Sequence, residues 1–363
     1  MYGMMIVMNL QEEDNAVRRL CLLLCLNLLL GCCACSKTAQ SLQRYQTTDL
    51  ALFDSVTVLT GYETSKAEFD RKSGQLLTLL GELHRLFDNY QAYEGINNLY
   101  TLNQTAGKAP VRVDARLIDL LERGKEYYTL TQGKTNPAMG AVLRLWHDCR
   151  TQAQQSPDVA ALPDAVALQT AAAHINPEHI VLDRAAGTVY FSDPALQVDL
   201  GALAKGYALE QAAKKAEQLG CTSLLLNLGG MVRAVGNKPD GTQWTVGVED
   251  PRDPARFLCT VRIPSGSTLS TSGDYRRYYT VNGVKYHHLI DPDTLYPGQL
   301  YRSLSVLCRD SVAADALSTG LFFLPAQQAM TLAKSLTDTE VMLVSQDGAV
   351  QYSDGFSKQA VVS

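Results

Sequence analysis

The residues best suited to form a reactive or binding site lie in VDLGALAKGYALEQAAKKAEQLG, residues 198–220. An acid, Asp199, and a lysine, Lys205, stand at the start of a long amphipathic pattern. A helix that begins near Gly201 or Ala202 would present free backbone N–H groups and a partial positive charge, to which the lysine adds a mobile cation. The stretch predicts an anion site, and a surface helix capped near Asp199 is the simpler alternative. It is not a P-loop, because glycine and tyrosine follow the lysine.

A second polar cluster is YHHLIDPDTLYPG, residues 286–298. Two histidines, two aspartates and two prolines fall within these thirteen residues. Prolines stiffen a loop and hold neighbouring polar side chains at fixed positions. The segment therefore predicts a rigid polar loop at a site. The alternative is the end of a β-hairpin whose polar side chains have no function, and in which His287 is merely exposed.

A third cluster is DSVAADALSTGLFFL, residues 310–324. Asp315 and Thr319 are four apart and share one face of a helix, where a carboxylate and a hydroxyl, with a backbone carbonyl, suit a divalent cation. A capping or back-bonding threonine is the alternative. The preceding LSTSGDYRRYY, residues 269–279, adds hydroxyl side chains and Gly273, which permits close approach of backbone to a ligand.

Elements of both kinds must position these clusters. Apolar residues at helical spacing predict helices over 66–90 and over 114–131, the second capped by Asp114. LFDSVTVLTGYE, residues 52–63, alternates as a strand does, and short β-like runs fill the chain from residue 175 onward. Asn-Gly at 282 and Asp-Gly at 347 are hairpin signals, which favour antiparallel pairing. The pattern predicts an α+β fold.

Composition describes a mildly acidic globular chain. It has 363 residues, 46% of them hydrophobic and 19% charged, with a formal net charge of −5. No basic stripe with interleaved aromatic residues appears, so we expect no nucleic-acid partner. Of nine cysteines, only Cys149, Cys221, Cys259 and Cys308 lie in the body of the chain. Their spacing matches no metal site, so we expect buried thiols.

The N-terminal region has the order of a bacterial signal peptide: a basic VRR, the apolar LCLLLCLNLLLG, then small residues. The apolar run is too short to span a membrane comfortably. LLGC, ending at Cys32, resembles a lipobox, in which the cysteine is lipidated and becomes the mature N-terminus. An uncleaved anchor is the alternative. The expected organisation is a signal peptide over 1–31, a lipidated N-terminus and polar tether over 32–49, and a domain over 50–363 on the extracytoplasmic side of the cell membrane.

Several motifs occur in an order that resembles one family: VDLGALAKGYA, LNLGG, STSGDY, YHHLIDPDTLYP and AADALST. Together they are similar to ApbE-type FAD:protein FMN transferases, bacterial enzymes that are often lipoproteins. The resemblance runs from about Phe53 to the C-terminus. It implies an ApbE/T-fold-like domain of antiparallel sheets with packed helices. It also implies that, with a divalent cation such as Mg²⁺, FMN passes from FAD to a threonine hydroxyl on an FMN-accepting domain of an extracytoplasmic redox protein, with release of AMP.

The resemblance also assigns site residues in this numbering. The positions that it implies for FAD contacts are Phe53, Lys134, Thr135, Asn136, Asp199, Lys205 and Leu289. Phe53 stands where other members have methionine, and Asn136 where many have aspartate. The implied metal ligands are the Ala202 carbonyl, Asp315 and Thr319. His288 is implied as the general base, with Asp315 as the second catalytic group, and His287 stays open as an alternative base.

The same site allows other functions. With water as the nucleophile, it would hydrolyse FAD to FMN and AMP as a diphosphatase. A chain that bound flavin without chemistry would be an electron carrier or a flavin store. Release of AMP separates both enzymes from the carrier, and covalent flavin on a partner separates transferase from hydrolase.

Overall fold

The computed structural model describes residues 41–361 and contains sixteen strands. In chain order they are β1 (Gln43–Asp49), β2 (Thr57–Glu63), β3 (Val111–Arg112), β4 (Ile180–Asp183), β5 (Thr188–Phe191), β6 (Leu224–Leu228), β7 (Met231–Val235), β8 (Trp244–Asp250), β9 (Asp253–Ile263), β10 (Thr268–Gly273), β11 (Tyr278–Val281), β12 (Val284–His287), β13 (Tyr301–Cys308), β14 (Glu340–Ser345), β15 (Val350–Tyr352) and β16 (Ala360–Val361).

Five of the α-helices in the described chain precede residue 200, and the others follow it and lie between strands. They are α1 (Lys66–Phe87), α2 (Leu99–Gln104), α3 (Ala115–Leu130), α4 (Gly140–Gln155), α5 (Ala165–Ala172), α6 (Ala204–Gln218), α7 (Ser311–Gly320), α8 (Ala326–Ser335) and α9 (Asp354–Gln359). The predicted helices over 66–90 and 114–131 are confirmed as α1 and α3. Asp114 caps α3 as expected, since its side chain accepts from the Arg116 N–H at 2.9 Å.

The main sheet has eight strands in the order β1-β2-β6-β7-β10-β13-β14-β15, and every neighbouring pair is antiparallel. Smaller sheets join β16-β9-β8 and β3-β5-β4, and β11 pairs with β12. The turn between β11 and β12 is Asn282–Gly283, and both residues have positive φ, 50° and 79°. This is the conformation that an Asn-Gly hairpin turn requires. The predicted α+β fold with antiparallel sheets is confirmed.

The first strand begins earlier than the composition indicates. β1 pairs along its whole length with β2, so residues 43–49 belong to the sheet and not to the polar tether expected over 32–49. The strand lies at the sheet edge and leaves much of its surface in water, so it can be built from polar residues and gives no hydrophobic signal. The expected strand over 52–63 begins only at Thr57, because residues 52–54 form a short 3₁₀ turn. The signal peptide and Cys32 lie outside the described residues.

The core forms where helices cover the main sheet. Leu76, Leu80 and Leu83 of α1 recur at helical spacing and are fully buried. The body cysteines are free thiols, and three of them, Cys221, Cys259 and Cys308, are buried as expected. None of the helices within residues 41–361 is both long and apolar enough to cross a membrane.

Candidate active site

The centre of the site is the crossing of α6 and α7, where Gly206 meets Asp315. The buried Asp315 carboxylate accepts the Gly206 N–H through Oδ2 at 2.9 Å, and its Oδ1 lies 3.6 Å from Nζ of Lys205. A Cβ on Gly206 would overlap the Ser311 carbonyl and come within 2.9 Å of the Asp315 Cβ. The glycine therefore lets two helix backbones approach closely enough to bring the carboxylate onto the start of α6.

The turn before α6 is fixed by Asp199. Its Oδ1 accepts from the Gly201 N–H at 2.7 Å, and its Oδ2 accepts from Nδ2 of Asn89 at 2.9 Å. Lys205 donates to the Gly201 carbonyl at 3.1 Å. The helix starts at Ala204, later than expected, and Asp199 is not its N-cap. The reason is that the aspartate ties down the preceding turn and Asp315, from a distant segment, takes the Gly206 N–H.

The predicted metal ligands lie on the two elements that cross here: Asp315 and Thr319 on α7, and Ala202 two residues before α6. Because α6 begins at Ala204 and the Gly206 N–H points to Asp315, the Ala202 carbonyl lies before the helix and outside its hydrogen-bond ladder. The Thr319 hydroxyl makes no hydrogen bond within residues 41–361, whereas the neighbouring Ser318 hydroxyl bonds back to the Asp315 carbonyl at 2.9 Å. The described residues contain no metal-binding group of three or more His, Cys, Asp or Glu side chains. One carboxylate, one hydroxyl and one carbonyl nevertheless fit a hard cation such as Mg²⁺ that keeps several waters.

The loop that carries the expected FAD contacts Lys134, Thr135 and Asn136 is anchored to the second and third polar clusters. Thr135 is buried and donates to the Ala316 carbonyl of α7 at 2.8 Å. Lys134 bridges Asp291 at 2.7 Å and Asp293 at 2.8 Å. The amide of Asn136 joins its loop to a distant segment, donating to the Ile175 carbonyl at 2.9 Å, and also accepts from the nearby Ala138 N–H at 2.8 Å. All three side chains hold the loop in place, so a flavin contact here would involve the loop's backbone or outer surface.

The two adjacent histidines have different environments. Both ring nitrogens of buried His287 are engaged: Nε2 with the Gly298 carbonyl at 2.8 Å, and Nδ1 with the Leu289 N–H at 3.3 Å. Nδ1 of His288 is buried and has no partner within residues 41–361. His288 sits at the base of the β11–β12 hairpin, where its N–H donates to the Arg277 carbonyl at 3.0 Å.

The electrostatic surroundings keep His288 neutral. Burial first, and then the positive charges of Arg277, His287, Arg150 and Lys205, hold the pKa of His288 well below its ordinary value. A neutral imidazole with an unpartnered nitrogen can accept a proton at physiological pH.

Leu289 and Phe53 are held by different parts of the chain. Leu289 is buried in the main core, and its carbonyl accepts from the Gly298 N–H at 3.0 Å. Phe53 has a left-handed backbone, φ 53°, and its N–H donates to Nδ1 of His84 at 3.3 Å. Two residues on, Ser55 packs against Gly229 of the LNLGG motif, whose Cβ position is also 3.8 Å from the Lys205 stem. The 3₁₀ turn is thus brought beside α6.

Comparison with known proteins explains why the motifs described above occur together in one chain. Residues 55–343 match the model of the ApbE family. The chain belongs to the ApbE family. The FAD:protein FMN transferase of Treponema pallidum is 32% identical over 71% of this chain and 73% of its own length. The FAD:protein FMN transferase of Haemophilus influenzae is 32% identical over 67% of this chain and 70% of its own length.

Solved ApbE structures have the same fold. The ApbE protein of Thermotoga maritima superimposes with a TM-score of 0.77 at 25% identity, over 87% of this chain and 99% of that one. The flavin transferase ApbE of Vibrio cholerae gives a TM-score of 0.73 at 23% identity, over 88% and 100%. The second likeness establishes the fold alone.

Sequence reasoning missed several groups beside this ApbE site. Asn89 holds Asp199, and the next residue, Tyr90, packs against His147 of α4 with 4.9 Å between ring centroids and the rings tilted by 42°. Arg144 lies 4.7 Å over the Tyr90 ring. A signal for α4 was available, since Arg144, His147 and Arg150 recur every third residue. Nothing in the local sequence of Asn89 indicated that it would meet an acid 110 residues away.

Proposed function

We propose that this chain is a metal-dependent FAD:protein FMN transferase, which passes FMN from FAD to a threonine hydroxyl of a partner protein and releases AMP. The observation that supports this most directly is the α6–α7 crossing, where an acid, a lysine and an uncapped backbone carbonyl converge in an ApbE family member. Phosphoryl transfer asks mainly for positioning and neutralisation of charge, and these are the groups that such a site supplies.

The cation would be held by the Asp315 carboxylate, the Thr319 hydroxyl and the Ala202 carbonyl. When bound, Mg²⁺ supplies charge stabilisation for phosphate oxygens. Lys205 and the positive end of the α6 dipole contribute further charge for the pyrophosphate of FAD, whereas the N–H groups of Leu203, Ala204 and Gly206 are already engaged within the protein. Asp199 keeps the turn before α6 in the conformation that aims those groups.

His288 would act as the general base. The threonine Oγ attacks the FMN phosphorus, a new P–O bond forms, and the bond to the AMP oxygen breaks. The threonine proton passes to the neutral imidazole, and AMP departs with the electron pair of the broken bond. His287 is unsuited to this role, because both of its nitrogens are engaged.

The test is a single reaction with three readouts. Purified protein is incubated with FAD, Mg²⁺ and a flavin-accepting domain of an extracytoplasmic redox protein. We expect AMP release together with a fluorescent acceptor band on a denaturing gel. AMP without labelled acceptor would instead indicate a diphosphatase, and flavin binding without AMP would indicate a carrier.

We further propose, from the sequence alone, that Cys32 is lipidated and anchors the domain on the extracytoplasmic side of the cell membrane. The support is the LLGC motif after an apolar run. In cells given a labelled fatty acid, the full chain should take up label and Cys32→Ala should not. Equal labelling of the variant would contradict the assignment and turn attention to Cys33 or Cys35.

A further inference from the structure

One face of α4 carries positive charge that the predicted FAD site does not use. Arg144, His147 and Arg150 recur every third residue and share this face. The Arg150 guanidinium lies 3.1 Å from Nδ1 of His147, and the Tyr90 hydroxyl lies 3.5 Å from the same nitrogen. We define the cationic surface as these three residues and Arg277.

The charges of the cationic surface are not compensated. Within residues 41–361, no carboxylate forms an ion pair with Arg144, Arg150 or Arg277. Two acids act on His147 of this surface, first Asp148 and then Asp199; Asp148 forms no ion pair with these arginines in the described chain, and each oxygen of Asp199 already accepts a hydrogen bond.

α4 packs on β11, the strand that follows Arg277, with the Trp146 and Tyr279 ring centroids 6.4 Å apart. Arg150 of α4 and Arg277 are thus carried by adjoining elements, and burial and then the charge of Arg277 lower the pKa of Arg150. An anion bound between these cations would reduce their mutual repulsion.

The position of this surface relative to His288 indicates which anion. Arg277 is the cross-strand neighbour of His288, and its carbonyl accepts the His288 N–H at 3.0 Å. In an in-line displacement, the base and the incoming hydroxyl stand on one side of phosphorus and the leaving group on the other. Cations beside the base therefore face the incoming protein and not the departing AMP. Lys205, the start of α6 and the proposed cation already supply positive charge to the pyrophosphate.

We infer that the cationic surface docks an acidic segment of the acceptor protein, in which carboxylates flank the threonine that receives FMN. This rests on the proposed function, since it identifies the side of that same site from which the acceptor enters. Complementary charges at such a surface speed the encounter and fix the register of the docked segment.

The experiment compares Arg150→Gln, Arg277→Gln and the double variant with wild type. The probe is a redox-protein domain that wild-type enzyme flavinylates. We expect the KM for this domain to rise about 3- to 10-fold for each single variant and more for the double variant, with FAD affinity unchanged. The wild-type KM should also rise with salt, and the double variant should show a weaker dependence. Arg256→Gln, which removes one exposed charge from β9, is the matched control and should leave the KM unchanged.

A charge exchange separates docking from damage to the fold. Arg277→Glu should transfer poorly to the normal domain and recover activity toward a domain in which one carboxylate near the threonine is replaced by lysine. If the Gln variants weaken FAD binding and leave the acceptor KM unchanged, the surface serves the nucleotide and the inference is overturned. Absence of recovery in the exchange would also contradict it. If wild type transfers FMN to no acceptor, the proposed function itself fails.

Discussion

Two polar regions flank the predicted flavin site, and they differ in how their charges are held. At the α6–α7 crossing, Asp315, Lys205 and Asp199 bond to backbone groups or lie close to one another. On the cationic surface, Arg150 and Arg277 have no carboxylate partner within the described residues, and the buried Nδ1 of His288 has no partner there either.

The difference indicates two modes of action. Groups held by their neighbours cost little to position when a ligand arrives, so the crossing is preorganised to bind FAD and a cation. Arg150 and Arg277 have no carboxylate partner in the part of the chain that the structure describes, so their charges are available to an incoming acidic group, which suits a docking surface. The imidazole of His288 is held neutral, which suits a base. Substitutions at the crossing should therefore change binding of FAD and metal, whereas substitutions on the other side should change proton transfer and use of the acceptor.

The largest effect is expected for Asp315→Asn. The amide oxygen can still accept the Gly206 N–H, so the helix crossing should survive, but the charge that would hold the cation is lost. We expect AMP release to fall at least about 10³-fold. Thermal unfolding should be nearly unchanged, and Asp347→Asn on the exposed β14–β15 turn serves as the control. Activity that survives both this change and chelation of metal would rule out the proposed cation site.

His288→Ala should slow transfer by about 10²- to 10⁴-fold and leave FAD affinity nearly intact, because a base acts on the threonine and not on bound FAD. Single-turnover transfer and FAD fluorescence titration measure the two quantities. The variant should also lose the acid limb of the rate profile. His179→Ala, which removes a half-buried histidine from the 3₁₀ turn before β4, is the control. A normal rate in the His288 variant would move the base to Asp291, Asp315 or water.

Lys205→Met should weaken FAD binding by about ten- to a hundred-fold, since it removes one charge-assisted contact at a partly buried position. The methionine keeps most of the aliphatic stem that packs near Gly229. Titration of FAD at fixed Mg²⁺ measures the change. A variant with unaltered FAD affinity would indicate that the lysine serves only to hold the turn at Gly201.

Asn89→Ala should have a smaller effect of the same kind, about 3- to 10-fold in FAD affinity, because the amide acts through Asp199. Asn89→Asp is informative beside it, since it places two carboxylates together and should weaken binding further. If Asn89→Ala lowered the maximal rate and left FAD affinity intact, Asn89 would have a role other than supporting Asp199.

The smallest effect is a shift of the pH profile in Arg277→Gln. Four charged or titratable groups lower the pKa of His288 beyond the effect of burial: Arg277, His287, Arg150 and Lys205. A base works in its neutral form, so the rate falls as pH drops through the pKa of His288. Removing one neighbouring positive charge raises that pKa, and the acid limb should move to higher pH. A limb that stayed in place would indicate that another group titrates.

Much of this architecture was readable from local sequence. Helical spacing defines α1 and α3, and Asn282–Gly283 defines a hairpin, because apolar periodicity and turn chemistry depend on residues close in the chain. The resemblance of ordered motifs also selected Asp315 and Thr319, which lie on α7, and Ala202, which lies two residues before α6. The predicted element boundaries were less accurate, because the polar strand β1 was assigned to the tether and β2 begins only after a 3₁₀ turn.

The tertiary structure decided which of these side chains are free to act. The sequence presents His287 and His288 as equals, and only the positions of Gly298 and Arg277 distinguish an engaged ring from one with an unpartnered nitrogen. Likewise, no local pattern predicts that Asn89 meets Asp199 or that Arg150 approaches Arg277. Such pairings depend on how elements distant in the chain pack against each other. Because packing sums many weak contacts over the whole chain, a stretch of sequence specifies its own secondary structure far better than it specifies the elements that it will contact.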